Sequence, residues 1–438
     1  MLTTFSYKNS ALIPQNTLEE IASSLKEYTR RLQSVVDSKT YDAPESSINL
    51  PSDASLLDSV LTMKEKKVSP QLRYILDVGI GGSNLGTKSV YDALFGFYDI
   101  LQPDRFPKIL FLDTVSEDFF IKLSSLLESI SNKEEILINA ISKSGGTTET
   151  IANLEVLLEF LKKTFPDISD RLVITTDENS KLWQRAKELQ IDVLPIPKQV
   201  GGRYSVLSAV GLFPLAAAGI TIERLLKGAE EMREFCLSQD GLANPALLSA
   251  AITHFHSKNG KNITDSFFFA PQLESIGKWY RQLTGESLGK EHDLQGNVVH
   301  TGITPTVSIG STDLHSVGQL YLGGPRDKIT TFIYTTNEPA LLSLPSSLQF
   351  PLVEGIENKK LREIMAAILE GVKIAYQKQG LPFMEVAFDS INEQSLGEFL
   401  QFKMLEMMYL GQLFNVNAFD QPHVELYKVE TKRILNSK

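Results

Sequence analysis

The sequence is nearly without cysteine: Cys236 is the only one in 438 residues. No intrachain disulfide can form, a thiolate zinc site lacks its ligands, and a reducing compartment is the expected setting. Histidine is scarce as well, six in all. His254 and His256 flank Phe255 on a helical pattern that turns them apart, so they read as structural; His292 and His300 show no helical metal motif. Neither HExxH nor a GxSxG elbow occurs. Positive charge is in deficit, with 43 Lys and Arg against 53 Asp and Glu and a formal net charge of -10. That deficit argues against a general nucleic-acid binder, which needs a basic face, and leaves room for a local basic pocket. The longest apolar run, Val206 to Ile220, is broken by Ser208, Gly211, Pro214 and Gly219 and is short for a membrane span. Met1 to Gln15 lack a basic segment followed by an apolar one, so no secretory signal is read there. The expectation is a cytoplasmic protein that binds neither nucleic acid nor membrane and uses no metal or other cofactor.

What is present suits a folded enzyme-sized chain: 42% hydrophobic and 22% charged residues, in a length that suggests two domains. From Arg73 onward, short β-rich runs alternate with helical patterns: Arg73 to Gly79, Lys108 to Asp113, Glu135 to Ser142, Arg171 to Thr176 and Ile191 to Ile196. That alternation predicts a doubly wound parallel sheet. Ile151, Leu154, Leu158 and Leu161 recur at helical spacing between Thr150 and Lys163, opposite Glu155, Glu159 and Lys163. A second series, Asp265 to Ala270, Thr304 to Ile309, Lys328 to Thr335 and Met384 to Asp389, predicts a second α/β domain. The expected division is a helical extension over 1–50, α/β domains over 51–200 and 221–425 joined by 201–220, and a terminal helix over 426–438. Ligands of such sheets bind beyond the carboxyl ends of the strands.

At the first such junction Gly79, Gly81, Gly82 and Gly86 surround Ser83 and Asn84, a turn whose amides can approach an anion. It is no dinucleotide fingerprint, because Asn84 stands at the third glycine, and no P-loop, because Thr87 follows Gly86 where lysine is required. Alone, it fits a ligand-free turn equally well. More specific is the segment Ser142 to Thr150, which sets five hydroxyls and Lys143 around Gly145 and Gly146 at the start of the amphipathic helix. Hydroxyls, free amides and a lysine suit a phosphate monoester; the competing reading is a helix cap with extra turn residues. Arg203, after Gly201 and Gly202, can stabilise an oxyanion without losing its charge, or serve a structural ion pair. Glu286, His315 and Lys428 are acid–base candidates, though any one of them alone reads as an ordinary surface or structural residue.

Taken together and in order, Gly79 to Gly86, Ser142 to Thr150, Gly201 to Gly211, Glu286 to Lys290, His315 and Phe419 to Lys428 resemble the glucose-6-phosphate isomerases, the short bacterial type with two sugar-isomerase domains. The resemblance implies flavodoxin-like α-β-α sandwich domains, a homodimer with shared active sites, and a place in glycolysis and gluconeogenesis. It also implies roles: Glu286 as the base moving a proton between C1 and C2, Arg203 as enediolate stabiliser, His315 and Lys428 as the ring-opening pair. Ser142, Lys143, Ser144, Thr147 and Thr150 fall on the phosphate loop, and Gly82, Ser83, Gln282 and Gln421 on positions lining the sugar. The resemblance further implies that His315 reaches the partner's site. Two rival readings are a phosphosugar-sensing regulatory protein without catalysis and a relative that also epimerises mannose 6-phosphate. One departure is His423, where that family usually has glycine; an imidazole there is expected to strain or crowd the site if the position needs positive φ or close approach.

Overall fold

The computed structural model describes residues 2–437. Its strands form where β-branched and apolar residues predominate between turn residues. Tyr74–Val78 (β2), Lys108–Leu112 (β3), Ile136–Ile141 (β4), Leu172–Asp177 (β5) and Asp192–Ile196 (β6) make one parallel sheet in the order β3-β2-β4-β5-β6. All six residues of β4 are buried, as expected of a central strand covered on both faces. Ile263–Phe268 (β7), Thr304–Ile309 (β10), Lys328–Thr335 (β11) and Phe383–Phe388 (β12) form the parallel part of the second sheet. Together with Thr3–Ser6 (β1), its order is β1-β12-β11-β7-β10. In both sheets the first parallel strand lies between the next two, so each has a topological switch point, at β2/β4 and at β7/β11.

Two features depart from the sequence expectation. The first residues are not wholly helical: β1 pairs antiparallel with β12, ahead of helices Gln15–Ser24 and Lys26–Ser38. A small hairpin, Lys290–His292 (β8) with Val298–Thr301 (β9), stands apart from both sheets. The helix at the other end runs over Val424–Asn436.

The sheets are held together by a common core. Ile75 and Leu137 of the first sheet and Phe268 and Val386 of the second belong to one cluster with Leu212, Trp279 and Phe399. Helix Glu393–Phe414 runs through its middle and meets helix Ile222–Cys236 backbone to backbone. A methyl built on Gly397 would lie 1.9 Å from the carbonyl oxygen of Leu225, so only glycine permits this crossing. Lys403 and Glu406, both buried on that helix, neutralise each other at 3.0 Å. An unpaired charge at either position would be strongly destabilising.

Candidate active site

The site is built where the first switch point meets the loop carrying Arg203 and the helix Glu274–Leu288. After β2 the chain turns through Gly81 at φ +61°, and Gly82 comes into backbone contact with Gly202. A Cβ at Gly82 would stand 2.2 Å from the carbonyl carbon of Gly202. The glycines therefore bring two loops closer than side chains allow, and Ser205 Oγ donates to the Gly82 carbonyl at 3.2 Å across the junction.

Arg203 is buried beneath this contact. Its Nε donates to Ser287 Oγ at 2.9 Å, and its Nη1 to Gln421 Oε1 at 2.8 Å and Glu286 Oε2 at 3.2 Å. Its Nη2 donates to the carbonyls of Ala418 and Asp420. A buried guanidinium is tolerable because its donors are met by acceptors in this way. Gln282 and Glu286, four residues apart, lie one above the other on the helix, and Gln282 Nε2 donates to Glu286 Oε1 at 2.9 Å. Gln282 Oε1 has no hydrogen-bond partner among the described residues. Lys290 ties the same helix to the last loop, donating to the Glu286 carbonyl at 2.8 Å and to Asp420 Oδ1 at 2.9 Å. Burial pushes its ammonium below the ordinary lysine range.

Opposite lies the start of helix Thr148–Lys162. Its N-cap residue, Thr147, makes no side-chain cap bond, so the first-turn amides and the positive end of the helix dipole remain available for an anion. The Thr147 N–H itself donates to Ser142 Oγ at 3.4 Å, one residue ahead of that turn. Ser142 Oγ and Thr147 Oγ1 bond each other at 2.9 Å. Gly145, at φ +70°, turns the loop against Ser180 and Leu182. Lys143 differs from expectation: its Nζ donates to the carbonyls of Lys198 and Val200 at 2.7 and 2.9 Å, so it pins that loop while its charge stays at the cavity wall. Burial lowers its affinity for the proton, against the pull of Asp177.

These parts enclose a cavity of about 480 Å³. Gly82, Ser83, Lys143, Ser144, Thr147, Arg203, Gln282, Glu286, Gln421 and Lys428 all line it. Ser142 and Thr150 are buried behind the wall. Lys428 Nζ is paired with Glu425 Oε1 at 2.7 Å. His315 is not brought to the cavity of its own chain: it ends the turn Thr312–His315 after β10 and is exposed. Sequence reasoning misses Asp177, Glu149 and Glu425, which also line the cavity. The signal for Asp177 is an acid at the carboxyl end of an expected strand. One of its oxygens has no hydrogen-bond partner among the described residues, and burial raises its carboxyl above the ordinary range.

His423 corrects an expectation. Its backbone is right-handed helical, φ -70° and ψ -20°, so a side chain causes no strain there. Its half-exposed ring does not line the cavity and bonds Glu291 Oε2 at 2.7 Å.

A carboxylate beside a fixed guanidinium, faced by a helix start with free first-turn amides, suits an enzyme acting on a small anionic substrate. The comparisons narrow it. The phosphoglucose isomerase family model matches residues 62–438, and the chain belongs to that family. It is 36% identical to the glucose-6-phosphate isomerase of Carboxydothermus hydrogenoformans over 376 residues, 84% of this chain and 80% of that one. It is 35% identical to the glucose-6-phosphate isomerase of Methanocaldococcus jannaschii over 355 residues, 80% and 81% of the two chains. The fold also matches the crystal structure of a glucose-6-phosphate isomerase from Chlamydia trachomatis, with a TM-score of 0.80 at 20% identity, covering 99% and 88%. The chain is an aldose–ketose isomerase, and the regulatory and dual-specificity readings are not favoured.

Proposed function

We propose that the protein interconverts glucose 6-phosphate and fructose 6-phosphate by proton transfer through an enediolate, with Glu286 as base and Arg203 as the group that holds the developing oxyanion. The observation that carries this reading is the 3.2 Å approach of Arg203 Nη1 to Glu286 Oε2 at the wall of the cavity. A base and a fixed cation so placed can act on adjacent atoms of one substrate: the carboxylate takes a proton from one carbon and returns it to its neighbour. The guanidinium stays charged throughout and is already oriented, so little reorganisation accompanies reaction.

The helix start and Ser144 and Thr147 hold the phosphate, and Gly82, Ser83, Gln282 and Gln421 hold the sugar. Anchoring at the remote phosphate keeps the reacting carbons in register with Glu286. Lys428 and His315 open the ring. Because His315 is exposed and does not line the cavity of its own chain, it serves the site of a second copy, and the working unit is a homodimer. The setting is the cytoplasm, in keeping with a lone buried thiol and with described helices none of which is long and apolar enough to cross a membrane. The test is direct: purified protein is given fructose 6-phosphate and product is read with a glucose-6-phosphate-dependent coupling enzyme. Absence of product from folded dimer would remove the proposal.

A further inference from the structure

Helix Val424–Asn436 carries Lys428 to the cavity, yet it is weakly attached. None of its described residues is buried. Its side-chain bonds close on itself: Lys428 with Glu425, Thr431 with the Tyr427 carbonyl, Arg433 with Glu430. What fixes its direction is the segment before it. There Arg203 holds Ala418, Asp420 and Gln421, and Lys290 holds Asp420. The tether nearest the helix is His423, whose Nε2–H donates to Glu291 Oε2 at 2.7 Å. Glu291 lies on β8, directly after the helix that carries Glu286. The imidazole thus joins the two elements bearing the proposed base and the proposed ring-opening amine. The same bond, with His292 and His300 nearby, holds Glu291 below the ordinary carboxylate range.

We propose that His423 is a positioning residue: its bond to Glu291 fixes the start of the last helix against the strand that follows Glu286 and so sets where Lys428 stands over the sugar. The proposal rests on the reading of the cavity as the substrate site. It differs from the sequence expectation, in which histidine at this position is only an encumbrance. Both partners are partly exposed, 51% and 35%, so the pair contributes little to global stability, and its loss should show in local order and turnover.

The test compares His423→Gly, Glu291→Ala, the double variant and His423→Gln, which keeps a donor without a titrating ring. Two readouts are taken on the full-length protein: kcat and KM with fructose 6-phosphate, and amide hydrogen exchange across 424–436 without substrate. Each single loss is expected to lower kcat/KM about two- to fivefold and to speed exchange in the helix at unchanged melting temperature. The double variant should be no worse than either single one, and His423→Gln should recover most of the loss. Effects that multiply in the double variant, or a glycine variant indistinguishable from wild type in exchange and kinetics, would overturn the proposal. If the unmodified protein does not turn over fructose 6-phosphate, the functional reading fails separately, and the exchange measurements still decide whether the tether exists.

Discussion

Gly82→Ala is a small change with a large expected consequence. The added methyl would sit 2.2 Å from the Gly202 carbonyl carbon, 2.5 Å from its oxygen and 2.6 Å from its Cα. Carbon contacts are comfortable at about 3.5–4.0 Å, so the loops must separate by ~1 Å. Neither side can yield by a rotamer change, because the obstructing atoms are main chain. Gly202 directly precedes Arg203, so the displacement reaches the guanidinium that meets Glu286 at 3.2 Å. A shift of this size in the reacting geometry can lower turnover about 100-fold, and overpacking of this kind costs about 1–3 kcal/mol of stability. The assay is kcat on fructose 6-phosphate beside a thermal unfolding curve. Gly371→Ala is the control: it lies within helix Leu361–Lys378 with nothing within 4 Å of the new methyl. That variant should keep its turnover and gain about 0.5–1 kcal/mol. A Gly82→Ala protein with wild-type kcat and melting temperature would refute the reasoning from backbone contact.

Ser144→Ala with Thr147→Ala is expected to weaken binding of the sugar phosphate by about 1 kcal/mol per lost hydrogen bond, measured by calorimetry; unchanged affinity would move the phosphate elsewhere. Asp77, fully buried on β2 with Asn139 Nδ2 donating to it at 2.9 Å, has its carboxyl pushed up to about 8, chiefly by burial. A proton held more tightly in the folded chain favours folding fully below the ordinary aspartate range. That advantage then falls by about 1.4 kcal/mol per pH unit as pH rises toward 8. Asp77→Asn keeps the acceptor and removes the titration, so its stability relative to wild type should improve from pH 5 to 8; parallel melting curves would contradict this. Mixing inactive Glu286→Gln with inactive His315→Ala chains under verified subunit exchange should restore about a quarter of wild-type activity, since half the dimers are mixed and each has one intact site. No recovery would place His315 within its own site or outside the chemistry.

Much of the architecture is legible because it is written locally. Ile136 to Ile141 is a strand apolar at every position but Asn139, ending at a hydroxyl-rich turn, and the structure buries that strand at the centre of its sheet. Thr3–Ser6 carries no such signal: four residues without a continuous apolar pattern become a strand only because β12 offers an edge far along the chain. Helix Glu393–Phe414 is equally opaque. It is buried around its whole circumference, Glu398, Gln401, Lys403 and Glu406 included, so it has no polar face for periodicity to reveal. In the cavity, the glycine turn and the hydroxyl nest are local and readable. The tertiary partners are not: nothing in the sequence says that Lys143 binds the carbonyls of Lys198 and Val200, or that His423 finds Glu291.

The central claim, proton transfer through Glu286, is tested by running the isomerisation of fructose 6-phosphate in D2O and following the product by NMR. The Glu286 side chain is 29% exposed, so the proton it holds between the two carbons can exchange with solvent before it returns. Deuterium is therefore expected at C2 of the glucose 6-phosphate formed. In Glu286→Gln, turnover and incorporation should fall together by orders of magnitude, with modest change in substrate binding. Product formed at the wild-type rate by Glu286→Gln, or formed by wild-type protein with no deuterium at C2, would contradict the account.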